Sequence, residues 1–527
     1  MAGFDGLRGV LEAQAARLGS RPFLALPDTA LTYAEADELT NRVANGLANL
    51  GYVAGDIIMA RCGNTTTMVA TWFACMKLGA VFMPVNSLLT GEPLRKVMAH
   101  AGGAVVICDA ELYPTLAEVR SGLPRLRQVV VAGSPPPPGT LSWDALVDGS
   151  SSVPPPPLIG GPEAPAKLMY TSGTTGTPKG VLWSRACEAT WGRSYGDELV
   201  PLEEGEAAYC CLPLAHATCQ GTTLAALHRG GRITIEAGFN PYGFWRRIRE
   251  AEAVMFSFVG TILSVLARRP PQPDDADNQV RRALGSGAPA GVWSAFEERF
   301  GLHVVDVWGQ TETASCWTLP DRLPQRPGTV GRPSPRFEAR VVGDDGVEAP
   351  VGVAGELWIR PREERVMFEG YLHADGGVVP PWDDEGWYHT GDLMRQEADG
   401  ELAFAGRRRD AIRRRGEMIA AGDVEEAALA HPGVFEVAAV AVPVEGGADE
   451  EIKLCVVLRP DTVLGPEELH RFLGERLPRF MVPRFVELRV ELPKTPTTRV
   501  QKYRLAEEGT AGAWDARPRP RSDPPRN

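Results

Sequence analysis

Residues 171–180 read Thr-Ser-Gly-Thr-Thr-Gly-Thr-Pro-Lys-Gly and follow the apolar pair Leu168-Met169. Between positions 170 and 180, three glycines and five Thr or Ser hydroxyls surround a single cation, Lys179. Glycine lets backbone N–H groups turn toward an anion without interference from a Cβ. The hydroxyls add donors, and an ammonium is a point charge for phosphate. A hydrogen bond to a charged group is worth roughly 1.5–3 kcal/mol, so one such loop can hold a polyphosphate. The Gly-Lys-[Ser/Thr] ending of the Walker loop is absent. By composition alone, the same segment would serve equally as a flexible Gly/Ser/Thr linker.

Five further segments carry residue types that a nucleotide site uses. Leu212-Pro213-Leu214-Ala215-His216 ends on a titratable ring, although a lone His is more often structural. Gly285-Ser286-Gly287-Ala288-Pro289 reads as a turn. Val307-Trp308-Gly309-Gln310-Thr311-Glu312-Thr313 sets an aromatic face, hydroxyls and a carboxylate in one short stretch. Gly386-Trp387-Tyr388-His389-Thr390-Gly391-Asp392-Leu393 adds a second carboxylate, and Gly406-Arg407-Arg408-Arg409-Asp410 a basic run. In this order, with residues 171–180, these segments resemble the adenylate-forming superfamily: the AMP-dependent synthetase and ligase family of acyl-CoA synthetases, luciferases and carrier-protein adenylation domains. The resemblance covers about residues 20–505.

That resemblance implies a role for each motif. Thr171, Ser172, Gly173, Thr174, Thr175, Gly176 and Lys179 would hold the ATP phosphates, and His216 would border the acid pocket. Gly287, Ala288 and Pro289 would pack on adenine, with Trp308 stacked on it in place of the more usual Tyr. Thr311 would contact the α-phosphate and Glu312 would bind Mg²⁺, which prefers oxygen ligands and is typically held by one or two carboxylates with phosphate oxygens. Asp392 would accept both ribose hydroxyls, Arg407 matches the motif arginine at the nucleotide, and Arg409 falls at the hinge of the small domain, where the family commonly has Asp or Lys. Lys179, His216, Thr311, Glu312 and Arg499 are the expected catalytic set.

Arg499 marks a departure. The last family motif reads Pro-Lys-Thr-x-x-Gly-Lys, whose final lysine bridges the acid and the α-phosphate. Here Pro493-Lys494-Thr495 leads to Thr498-Arg499, with Lys502 three residues further on. Three explanations compete: Arg499 does the lysine's work, Lys502 replaces it, or an unusual acid depends less on this cation. A cation near the transferring phosphoryl is what counts, so Arg499 is favoured, although its planar fork differs from an ammonium. Gly416 matches the glycine beside which pantetheine passes, and Met418 stands where several relatives carry a polar residue.

The elements that must position these residues alternate along the chain. Leu39, Val43, Leu47 and Leu50 fall on one helical face; residues 57–60 read as a buried strand, 66–78 as a helix, and 80–83, 105–108 and 129–131 as further strands. Such β-α-β alternation predicts an α/β fold of helix-flanked sheets. A second apolar pair, residues 437–442 and 453–458, begins a smaller α+β unit. The expected division is 1–406 for ATP and acid binding, 407–510 for a mobile cap carrying the Arg499 loop, and 511–527 for a disordered Pro/Arg-rich tail. Pro-rich stretches at 135–138, 154–157 and 270–273 read as surface loops.

A net charge of −12 argues against nucleic-acid binding. The most apolar stretch, residues 71–85, is too short to span a bilayer and contains Lys77. No basic region precedes an apolar core at the start of the sequence, and the nine Cys lack metal-like spacing, so a reducing cytoplasm is the expected location. The expected reaction is ATP-dependent activation of a small organic, aryl included, acid as acyl-AMP, with transfer to coenzyme A. Alternatives keep the adenylation and change the acceptor: amide formation, carrier-protein loading, or an ATP-dependent diazotase using nitrite and an aryl amine. A binding protein that has lost catalysis is disfavoured by Lys179, Glu312, Asp392 and Arg407. His216, Ala217, Phe258, Val259, Gly309 and Cys316 are the expected acid-pocket lining; small-molecule acid and acceptor are the expected partners.

Overall fold

The computed structural model describes residues 6–133, 135–171, 179–373, 375–414, 417–443, 450–460, 462–494 and 500–517. The chain forms two compact units, Met1–Glu338 with Arg360–Tyr388, and Ala339–Ile359 with His389–Asn527.

In the first unit the local signals of the sequence set the elements. Helix Tyr33–Asn49 starts at a capping box, in which the Thr32 hydroxyl accepts from the Glu35 N–H and the Glu35 carboxylate accepts from the Thr32 N–H at 2.8 Å. Its Val43 and Leu47 are fully buried. Helix Thr66–Leu78 is buried almost all round and stops at Gly79, whose φ of 75° is a conformation that glycine adopts without a Cβ penalty.

Among the described residues these elements frame two large sheets. One has nine strands, ordered Val378–Val379, Gly370–Leu372, Lys179–Ser184, Pro165–Thr171, Val81–Pro84, Ile57–Arg61, Val105–Asp109, Gln128–Ala132 and Leu141–Ser142. Its run from Pro165–Thr171 to Leu141–Ser142 is parallel. Those inner strands are buried on both faces, which is why they read as continuous apolar runs rather than alternating ones. The other has seven strands, ordered His303–Asp306, Arg282–Ser286, Ala253–Val259, Ala207–Cys210, Arg232–Ile235, Pro22–Ala25 and Ala30–Thr32, all parallel except the last pair.

The second unit is smaller and α+β. Strands Val434–Pro443, Glu450–Leu458, Phe485–Arg489 and Trp514–Asp515 form its principal sheet. Val424 and Ala428 of helix Ala421–Leu429, with Leu469 and Leu473 of helix Pro466–Gly474, pack against the sheet's Val437, Leu454 and Val456. The expected division at residues 406 and 407 falls at the end of strand Leu402–Arg407. One expectation is corrected. Residues 511–517 were assigned to the disordered tail, yet Trp514–Asp515 pairs antiparallel with Phe485–Arg489. Trp514 packs on the core and the Arg484 guanidinium donates to both Asp515 oxygens at 3.0 and 2.9 Å, so an aromatic anchor and an ion pair override the tail-like composition. Residues 518–527 lie outside the described residues.

All nine cysteines are free and buried. Among the described residues, no helix is long and apolar enough to cross a membrane, and no group of three or more His, Cys, Asp or Glu could hold a metal ion.

Candidate active site

Parallel strands of the seven-stranded sheet end together and deliver the motif residues to one edge. Register pairs Cys210 with Ser257, Val259 with Ser286, and Gly285 with Asp306. His216 follows the first of these strand ends, Gly287–Pro289 the third and Trp308–Glu312 the fourth. The carboxyl edge of a parallel sheet is where α/β folds bind ligands.

The phosphate segment is the turn of a hairpin in the other sheet. Strand Pro165–Thr171 runs antiparallel to Lys179–Ser184, with Thr171 opposite Lys179. Ser172, Gly173, Thr174, Thr175 and Gly176 lie outside the described residues. Lys179 is exposed, and its ammonium sits 5.1 Å from the centroid of the Tyr371 ring. Tyr371 comes from strand Gly370–Leu372, whose pairing sets Tyr371 opposite Val181. Its hydroxyl donates to Glu312 Oε1 at 3.1 Å. Burial, and then the Glu312 carboxylate, push the Tyr371 phenol well up, so it stays a donor. Tyr388 lies 3.4 Å from the Tyr371 hydroxyl and donates to Gln310 at 3.3 Å. The Trp183 indole N–H donates to the Thr311 carbonyl at 3.0 Å, which ties the hairpin to the Thr311-Glu312 turn. Sequence reasoning missed Tyr371; its one signal was an aromatic after Gly370, with nothing local to point at Glu312.

Asp306 is a second missed residue. Its two carboxylate oxygens accept from the N–H groups of Gly287 and Ala288, each at 2.9 Å, and hold the expected adenine segment in its turn. Burial pushes Asp306 up to about 7, against the lowering effect of the Ala288, Gly287 and Val307 N–H groups. Gly287 has φ of 74° and Pro289 caps helix Ala290–Phe300. Gly260 is obligatory beneath this turn, because a Cβ there would lie 1.9 Å from the Gly287 carbonyl oxygen. Trp308 is buried, its N–H donating to Thr318 Oγ1 at 2.8 Å.

His216 is half-buried at the N-cap of helix Ala217–Arg229. The loop before it is clamped by buried amides: Asn64 Nδ2 donates to the Leu212 carbonyl at 3.0 Å, the Leu214 N–H donates to Asn64 Oδ1 at 2.7 Å, and Gln220 Nε2 donates to the Leu214 carbonyl at 2.7 Å. Of the expected acid-pocket residues, Ala217 is half-buried and Val259 and Gly309 are exposed, whereas Phe258 and Cys316 are fully buried.

In the second unit, Asp392 and Arg407 face each other across antiparallel strands, with Arg407 Nε 3.7 Å from Asp392 Oδ1. Asp392 is buried. Its backbone is braced on both sides: the Gly391 N–H donates to Glu356 at 2.9 Å and the Asp392 N–H to Thr390 Oγ1 at 3.1 Å. Arg408 pairs with Glu356 and with Asp344. Arg409 lies in the 3-10 turn Arg408–Asp410; its side chain, together with Gly416, the Met418 side chain and Arg499, lies outside the described residues. Lys494 bridges Val500 by backbone pairing and its ammonium is 3.0 Å from Glu436. Lys502 sits 2.7 Å from Glu425, which also accepts the Ala439 N–H at 2.7 Å. Burial raises Glu425, so withdrawing Lys502 would strand a carboxylate without its cation.

A family model for AMP-binding enzymes matches residues 11–372, and one for the AMP-binding enzyme C-terminal domain matches residues 423–499. The chain is 32% identical over 511 residues to a sulfoacetate–CoA ligase of Cupriavidus necator, covering 95% of this chain and 97% of the relative. It is 27% identical over 486 residues to a crotonobetaine/carnitine–CoA ligase of Salmonella paratyphi A, covering 90% and 92%. Its fold is similar to that of an anthranilate CoA ligase solved with anthranoyl-AMP (TM-score 0.86, 23% identity, 95% and 97% of the two chains). A benzoate CoA ligase from Burkholderia xenovorans LB400 shares the fold at a TM-score of 0.83 and 22% identity, over 95% and 99%.

Proposed function

The chain belongs to the AMP-binding enzyme family, and from that premise we propose that it joins a small organic acid to coenzyme A through an acyl-adenylate. In the first stage a carboxylate oxygen of the acid attacks the α-phosphorus of ATP, and pyrophosphate leaves. In the second the thiol of coenzyme A attacks the acyl carbonyl, loses its proton, and AMP leaves. The chain is thus an AMP-forming ligase of the acyl-CoA synthetase kind, as are the relatives named for coenzyme A ligation.

The observation that carries the reading is Tyr371. One side chain lies beneath the Lys179 ammonium and donates to the Glu312 carboxylate, so the expected phosphate cation and the expected metal ligand meet at one place. Lys179 neutralises the departing pyrophosphate. Glu312 fits Mg²⁺ as a single carboxylate, the usual protein share for that ion beside phosphate oxygens; when bound, Mg²⁺ supplies charge neutralisation on those oxygens. Gly287, Ala288, Pro289 and Trp308 take the adenine, Thr311 the α-phosphate, Asp392 and Arg407 the ribose side, and His216 the edge of the acid. Arg409 is the pivot of the cap. Arg499, rather than Lys502, is the cation for the first stage, because Lys502 is committed to Glu425. Positioning and charge neutralisation are the means by which such phosphoryl chemistry is accelerated. The reaction takes place in the cytoplasm.

The test is acid-dependent ATP–pyrophosphate exchange over sulfoacetate, crotonobetaine, benzoate, anthranilate and nitrite, followed by coenzyme A thiol loss with the best acid. Exchange and thiol loss together are expected. Exchange without thiol loss points to another acceptor, and nitrite consumption with an aryl amine would replace the ligase by a diazotase. Arg499→Ala should lower exchange by about 10²–10³-fold and thioester formation from supplied acyl-adenylate far less. Equal losses in both stages would remove Arg499 from the first.

A further inference from the structure

Lys167 occupies a place where the fold asks for an apolar residue. It lies in the strand that leads into the phosphate turn, between buried Ala166 and Leu168, and is itself 0% exposed. Its ammonium sits 2.7 Å from Glu188 Oε1 and donates to Gln220 Oε1 at 2.8 Å. The rings of Trp72, Trp183 and Trp191 close around it, with centroids 4.7, 5.2 and 4.7 Å away. Trp72 donates its indole N–H to the same Glu188 oxygen at 3.0 Å. Burial lowers the Lys167 pKa, and Glu188 opposes that effect.

Each partner leads to a different part of the site. Trp183, directly opposite Lys167 in the hairpin, donates to the Thr311 carbonyl next to Glu312. Gln220 holds the Leu214 carbonyl in the loop that ends at His216. The strand bearing Lys167 ends at Thr171, opposite Lys179. A buried ion pair is a weak source of stability, since an apolar pair of similar volume usually serves as well or better. What a cation with directed partners supplies instead is a fixed geometry.

We propose that Lys167 is a positioning residue for acid activation: its buried ammonium, held by Glu188 and Gln220 within three tryptophans, sets the phosphate hairpin, the loop before His216 and the Thr311-Glu312 turn at one spacing. This rests on the reading of the site as an adenylating one. In-line attack requires that spacing to hold to a fraction of an ångström, and a misplacement of about 1 Å can cost about 10²-fold in rate.

The test is ATP–pyrophosphate exchange by the full chain, with the acid that the wild-type protein uses best. The double variant Lys167→Met/Glu188→Gln removes the ion pair without leaving a lone charge and keeps an acceptor for Trp72. It should melt within a few degrees of wild type, keep KM for ATP within about threefold, and lose about 10–100-fold in kcat. Wild-type kcat in the folded double variant overturns the proposal, as does a loss confined to KM. Trp183→Phe keeps an aromatic wall and deletes only the N–H to Thr311; it should lower kcat about tenfold, and an unchanged kcat counts against the proposal even if the double variant does not fold. Absence of exchange by the wild-type chain with every acid overturns the adenylating reading itself, and this proposal with it. Wild-type exchange with unaffected variants overturns the role of Lys167 alone.

Discussion

Removing only the Tyr371 hydroxyl, as in Tyr371→Phe, keeps the ring beneath Lys179 and deletes the donor to Glu312. A hydrogen bond to a charged group is worth about 1.5–3 kcal/mol, so pyrophosphate exchange should fall by at least about tenfold. Unchanged exchange would show that Glu312 is held by other contacts. Asp306 gives a pH test whose sign follows from its burial. Its folded pKa is raised to about 7, so between the ordinary carboxylate range and about 7 the folded protein holds a proton that the unfolded chain releases. Stability from this group is present at the acid end and is lost as pH rises through about 7. The variant Asp306→Asn should therefore have a flatter melting profile than wild type from about pH 4 to about pH 7, and parallel profiles would contradict the shift. Lys179 and Glu312 were legible because their motifs are contiguous in sequence. Tyr371, Asp306 and Lys167 were not, because each acts on residues brought near only by strand pairing.

Gly260 carries a prediction at the level of the element. It begins helix Gly260–Ala267 directly under the Gly287 carbonyl, so Gly260→Ala must push the adenine turn away from the helix. Overpacking of this kind costs about 1–3 kcal/mol, and KM for ATP should rise several-fold with it. Gly291→Ala is the control: nothing lies within 4 Å of a Cβ there, in a helix, so it should be neutral or stabilise by up to about 1 kcal/mol. Equal effects from the two substitutions would rule out the clash. Element identity was well marked in the sequence, as the helix expected at 66–78 is the helix Thr66–Leu78 and the strand expected at 129–131 lies within Gln128–Ala132. Strand order was hidden, because Leu24 pairs with Ile233 and Gly370 with Leu182 across long intervals that no local pattern records. The strand Trp514–Asp515 was missed for a different reason: two residues are too few to show an alternation.

At the scale of the molecule, two compact units with separate cores should not melt as one. Calorimetry is expected to give an enthalpy larger than the van't Hoff value, and Mg·ATP should raise the melting temperature, since a ligand at 100 times its Kd adds about 2.7 kcal/mol to the unit that binds it. A single two-state transition would show the units to be energetically inseparable. The burial of every cysteine has a practical corollary. Burial pushes most of these thiols up, Cys108 and Cys455 to about 12 and Cys62, Cys75, Cys187 and Cys219 well above the ordinary thiol range, and a thiol reacts as its thiolate. A disulfide dye added to the native enzyme therefore reports on the co-substrate with little background from the polypeptide. When the chain opens, the same dye gains nine new targets, so one colorimetric reagent counts turnover below the melting point and unfolding above it.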